Sequence, residues 1–226
     1  MNTLEVLSFI AERHLDISQF SLITFPQQRM VQNWLKPWGE REQEMFEKAI
    51  NMQKNIGLPF WSGIMLSAFN NEAYSSALLK SAFHHNVIDN MLMIDREEVA
   101  AGIKLDGNDN RRWAVNSKVI MTDGRIRHIP MIDFHIPASQ QNLRVVMDVC
   151  DVLGLTNGFI LESGASYHYI GKKLMTEEEL MSLLGNALLF SPIVDGAWIS
   201  HQLRERSCSL RIDKKNGIET IVIKTV

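Results

Sequence analysis

Asp133 and His135 stand two residues apart inside the apolar run MIDFHIP, residues 131–137. On an extended strand that spacing puts both side chains on one face. Burying a lone carboxylate costs several kcal/mol unless it is paired or bound to a metal. The run therefore points either to a sheet-edge aspartate bonded to its neighbours or to a strand that ends in a metal site. SYHYIG repeats the geometry with Ser166 and His168, and the preceding ESGAS supplies Ser163 and Gly164. Small residues there let a turn aim its N–H groups at an anion. A third acid, Asp195 in SPIVDGAW, ends another apolar approach. Taken singly these features are common by chance, and a lone strand histidine is more often a satisfied core or edge residue. Together they supply carboxylate, imidazole, hydroxyl and backbone donors, which suit a cation beside a phosphate.

Competing chemistries fit less well. The chain has no CxxC pair and no HExxH, so a standard zinc site is not supported. It has neither GxGxxG nor GxxxxGK[ST], and no GxSxG surrounds Ser163 or Ser166. Cys150 lies on an apolar helical face, which suits packing better than nucleophilic catalysis.

The elements that must position these residues follow a change in composition near residue 105. Before it, segments 3–14, 39–56 and 71–84 show helical spacing, and Gly57 with Pro59 ends the second. The turn-rich KLDGNDNRRW, residues 104–113, marks the boundary between a helical region, 1–105, and a second region, 106–226. There, residues 114–121 and 126–136 read as strands joined by the TDGR turn. A helix follows over 138–153, with Ser139 near its cap and Leu143, Val146, Val149 and Leu153 on one face. NGFILESG and SYHYIGKKL read as strands, and TEEELMSLLGNALL as a helix with Thr176 and Glu179 forming a capping box. WISHQL, SCSLRI and ETIVIKTV read as closing strands, so that Arg204 and Arg206 alternate beside Ser207. The whole predicts an α+β class: a mixed or antiparallel sheet with flanking helices, preceded by a helical N-terminal region.

Composition narrows the setting. The 226 residues are 46% hydrophobic, enough for a real core. Two cysteines, Cys150 and Cys208, are too few for a disulfide framework and predict a reduced, cytoplasmic compartment. No basic leader precedes the apolar residues of MNTLEVLSFIAERHL, and LPFWSGIMLSAF is too short to span a bilayer. A net charge of −3 argues against a strongly basic nucleic-acid coat, yet cations such as Arg125, Arg127, Lys172, Lys173, Arg204, Arg206 and Arg211 in the C-terminal half leave room for a locally positive groove. Lys172 and Lys173 read either as a track for a nucleic-acid backbone or as a solvated strand end. His84 and His85 read as a cap at the end of the third helix, and the Met-rich NMLMIDREE as core.

The order of Asp-x-His, then SG..SxH, then an isolated Asp followed by SLR resembles the archaeo-eukaryotic primase superfamily. That group includes the primase-polymerases and the polymerase domain of bacterial end-joining ligases. The resemblance covers roughly residues 114–220. It implies a nucleotidyltransferase that adds NTPs or dNTPs to a nucleic-acid 3′-hydroxyl with two divalent metals. Position by position, it implies Asp133, His135 and Asp195 as metal-holding catalytic residues. Ser163, Gly164, Ser166, His168 and Arg211 then bind the triphosphate. Nucleic-acid template and nucleotide are the implied partners; the helical N-terminal region, which no motif matches, is left for a protein partner, and no membrane is involved. His135 stands where many members have a second Asp, which favours Mn²⁺ over Mg²⁺ or a catalytically silent domain that binds nucleotide or nucleic acid within a larger assembly.

Overall fold

The structure, a computed structural model, describes residues 1–26, 40–58, 60–68, 91–105, 111–212 and 219–226. The expected helix over 71–84 and the histidines at 84 and 85 lie outside them, as do residues 213–218. The chain divides into two compact units, one of Met1–Phe25 with His85–Val226 and one of Pro26–His84. The boundary expected near residue 105 falls inside the first unit.

The smaller unit holds two described helices, α2 (Glu40–Ile56) and α3 (Phe60–Ala68). Met45, Ala49 and Ile64 bury their side chains, and a Cβ on Gly63 would stand 2.9 Å from the Ala49 backbone. Only glycine lets two helix backbones approach so closely. Gly57, at φ +67°, ends α2 as its sequence predicts.

The larger unit is α+β. It opens with α1 (Thr3–Arg13), capped by Asn2 with Glu5 in a capping box, and β1 (Ile17–Pro26). Then come β2 (Met91–Asp95) and α4 (Arg96–Ala100), followed by β3 (Arg111–Met121) and β4 (Ile126–His128). The rest comprises β5 (Met131–Asp133), α5 (Gln140–Val152), β6 (Gly158–Glu162), β7 (Tyr167–Gly171), α6 (Glu177–Leu188), α7 (Gly196–Glu205), β8 (Ser209–Arg211) and β9 (Ile221–Thr225). A five-stranded sheet runs β2-β1-β3-β4, with β8 also on β3, and a four-stranded antiparallel sheet runs β5-β7-β6-β9. No described helix is long and apolar enough to cross a membrane.

The β3–β4 hairpin forms as its sequence predicts, with Gly124 at φ +81° in the turn. The strand expected over 126–136 is instead two strands in different sheets, because Pro130 has no N–H to continue a ladder. Ile129 still donates to Ser117 O in one sheet, while Pro130 O accepts from Gly171 N in the other (each 2.8 Å). Two caps hold as expected: Ser139 Oγ accepts from Asn142 N at 3.1 Å, and Thr176 with Glu179 closes a reciprocal box. The strand expected at WISHQL is helix α7, so Arg204 and Arg206 lie in its last turn and cap, with Arg206 paired to Glu177.

Candidate active site

The site residues lie where chain segments from both sheets end. Asp133, last in β5, sits directly across from His168 in β7. Their side chains approach with Nε2 3.5 Å from a carboxylate oxygen; His168 is 5% exposed and Asp133 28%. The chain then leaves the strand, so His135 is not a ladder residue but the exposed start of a loop. That loop is pinned on both sides, for Phe134 bridges Val194 and His135 N donates to Ile193 O at 2.8 Å. The bridge brings in Asp195, whose N–H donates to Asp133 O at 3.0 Å. Its carboxylate lies 3.5 Å from His135 Nδ1.

Asp195 also explains the helix that follows it. Its Oδ1 accepts from Trp198 N at 2.9 Å, making it the N-cap of α7. A carboxylate there offsets the unsatisfied N–H groups and the positive end of the helix dipole. The position thus serves fold and site at once.

Four residues, 163–166, join β6 to β7. Ser163 N donates to Ser166 O at 2.9 Å, and Gly164 takes φ +94°, a conformation costly for any residue with a Cβ. Ser166 Oγ donates to Phe134 O, tying this loop back to the Asp133 strand. Among the described residues the N–H groups of Gly164, Ala165 and Ser166 meet no acceptor. Arg211, on β8 of the other sheet, reaches the same loop, its Nη2 3.2 Å from Ser163 O.

The sequence-predicted residues therefore gather, but as two acid–imidazole pairs plus a loop and an arginine. Among the described residues no three His, Cys, Asp or Glu side chains stand close enough to hold one metal. The donors still suit a divalent ion in kind, since both carboxylates are part-exposed and each has an imidazole beside it. Two supporting residues carried no sequence signal. Trp198 Nε1 donates to Ser209 O at 2.9 Å, and Ser209 N donates to Gln202 Oε1 at the same distance. Together they lash α7, which Asp195 caps, to β8, which carries Arg211.

The fold and site together define an α+β domain with two acid–imidazole pairs and a loop of unpartnered N–H groups at the junction of two antiparallel sheets. The family described as AEP-like, archaeo-eukaryotic primase 1D-like, matches residues 97–221, more than half of the chain. The chain belongs to this primase-like family. Comparison with curated proteins and with solved structures gives no match.

Proposed function

We propose that the chain is a primase-like nucleotidyltransferase that joins an incoming NTP or dNTP to a nucleic-acid 3′-hydroxyl. The O3′–Pα bond forms while the Pα–O–Pβ bridge breaks, releasing pyrophosphate. The supporting observation is the gathering of the linked Asp133–His168 and His135–Asp195 pairs at the end of β5, with Arg211 on the β6–β7 loop whose N–H groups are unpartnered. In this reading Arg211 and the Gly164–Ser166 amides receive phosphate oxygens, with Ser163 and Ser166 shaping the loop. His168, beside the Asp133 carboxylate, presents its imidazole to the same charge. Asp133, His135 and Asp195 would hold divalent Mn²⁺ or Mg²⁺ as separate acid-centred positions, and such ions would neutralise the triphosphate and favour ionisation of the 3′-hydroxyl. The imidazole at position 135 favours Mn²⁺. The smaller unit, Pro26–His84, is left for a protein partner.

A second reading is a catalytically silent relative that binds nucleotide or nucleic acid within an assembly. His135 in place of a second acid, and the absence of a three-ligand group among the described residues, favour it. The test offers labelled NTPs and a primed or unprimed template with each metal. Incorporation that Asp133→Ala abolishes supports the enzyme. Binding without incorporation under either metal supports the silent domain, and absence of both overturns the two readings together.

A further inference from the structure

The two lysines after the His168 strand have neighbours that are distant in sequence. A cleft of about 480 Å³ is lined by Phe9, Arg13, His14, Asn157, Lys172 and Lys173. Its walls are organised around an aromatic pair, Phe9 and Phe159, edge to face with centroids 5.3 Å apart. Arg13 lies over the Phe9 ring at 4.3 Å, and Lys172 Nζ over the Phe159 ring at 4.5 Å. Each cation is thus held in place by a ring face rather than by an acid. His14 Nε2 donates to the Lys172 carbonyl at 2.7 Å, fixing the end of α1 against the chain leaving β7.

No described carboxylate lies within 4.0 Å of Arg13, Lys172 or Lys173. Arg13 and His14 suit the C-terminal end of α1, where a cation complements the helix dipole. That reason does not extend to Lys172 and Lys173, which follow a strand. Phe159 is buried and Arg13 covers a face of the Phe9 ring, so the cleft offers charge in preference to base stacking. Past Asn157 and Lys173 a second cavity begins, whose only charged linings are Lys173 and Glu179. The run of unpaired positive charge ends there.

We propose that this cleft binds consecutive phosphates of a single nucleic-acid strand, without sequence preference, at a site separate from the Asp133–His168 pair. The choice of a nucleic acid as the occupant rests on the primase-like reading above. Its cations, Arg13, Lys172 and Lys173, come from two distant chain segments and face one cleft that no described carboxylate lines, which complements a run of phosphates.

The experiment measures anisotropy of a labelled, mixed-sequence single-stranded oligonucleotide with the full chain across a salt series. Lys172→Gln, Lys173→Gln and Arg13→Gln should each weaken binding about three- to tenfold at low salt, and each should reduce the slope of log K against log salt by about 0.7. Lys172→Arg and Lys173→Arg should keep wild-type affinity, and all variants should stay folded in thermal melts, with only the small loss expected where a ring contact or helix-end charge is removed, separating charge from folding. NTP affinity should be unchanged throughout. Wild-type affinity and slope in the glutamine variants would overturn the cleft. So would a wild-type protein that binds NTP but no oligonucleotide, which leaves the nucleotide site standing; loss of NTP affinity in Arg211→Lys alone speaks only to that site.

Discussion

Arg211 is the residue whose chemistry can be isolated most cleanly. Its guanidinium reaches the 163–166 loop from a different sheet, and a planar fork can meet phosphate bidentately as an ammonium cannot. Arg211→Lys should weaken NTP binding by about 1–3 kcal/mol, the size of a charge-assisted hydrogen bond, with the melting temperature unchanged. Calorimetric titration checks it; a change within about 0.5 kcal/mol would make Arg211 an ordinary strand residue. His128 gives a different residue-scale outcome. It is buried, with Nδ1 3.0 Å from Ser117 Oγ and Nε2 without a partner among the described residues. Burial, with Lys118 nearby, pushes its imidazole down from 6.5 to about 4. The unfolded chain therefore takes up this proton first. Stability from the neutral ring is complete above about pH 6.5 and is lost as pH falls toward 4, by up to roughly 3 kcal/mol. Urea melts of wild type and His128→Gln at pH 7 and pH 4.5 should show a larger acid loss in the wild type. Parallel pH profiles would remove His128 as the cause.

At the scale of elements, Asp195 carries two jobs that substitutions can separate. Asn caps a helix about as well as Asp, so Asp195→Asn should keep α7 while removing the charge beside His135. Asp195→Ala removes both, at about 1 kcal/mol of stability. Paired melts and nucleotide assays should show function lost in both variants and stability lost only in the second; a fully active Asp195→Asn would take this acid out of the site. The β6–β7 contact is equally specific. A Cβ on Gly158 would stand 2.5 Å from the buried Tyr169 ring, so Gly158→Ala should cost about 1–3 kcal/mol by overpacking. Denaturant midpoints test it, and a neutral result would mean the ring relaxes freely. Elements also show where sequence reading reaches its limit. The run SYHYIG made β7 legible, although Ser166 falls in the loop before it, and cap chemistry made α5 and α6 legible. Helix α7 was hidden because WISHQL fits a strand in isolation, and its start is marked only by the Asp195 cap. Strand β1 was hidden because Phe20, Leu22 and Ile23 are buried on both faces, leaving no alternation to read. Pro130 did signal the break between sheets, although the apolar run around it masked the signal.

Over the whole chain, a net charge of −3 coexists with a local cluster of three cations, so the average understates what one face can attract. Arg13 and Lys172 meet only through the fold, which is why the sequence pointed to individual cations but not to a cleft. The same holds for the candidate site. Its residues could be named in order along the chain, but their division into the Asp133–His168 and His135–Asp195 pairs depends on the β5–β7 register and the Phe134–Val194 bridge. The catalytic reading, and the silent one where its ligand is a nucleotide, both require this junction to hold a triphosphate. The most direct measurement compares NTP with the matching nucleoside monophosphate by calorimetry, in wild type and in Asp133→Ala, with Mn²⁺ present. The account predicts that NTP binds at least about tenfold more tightly, as expected when charge-assisted contacts to the added phosphates contribute over 1.4 kcal/mol, and that Asp133→Ala abolishes the difference. Equal affinities for NTP and monophosphate in the wild type, or a preference that survives Asp133→Ala, would contradict it.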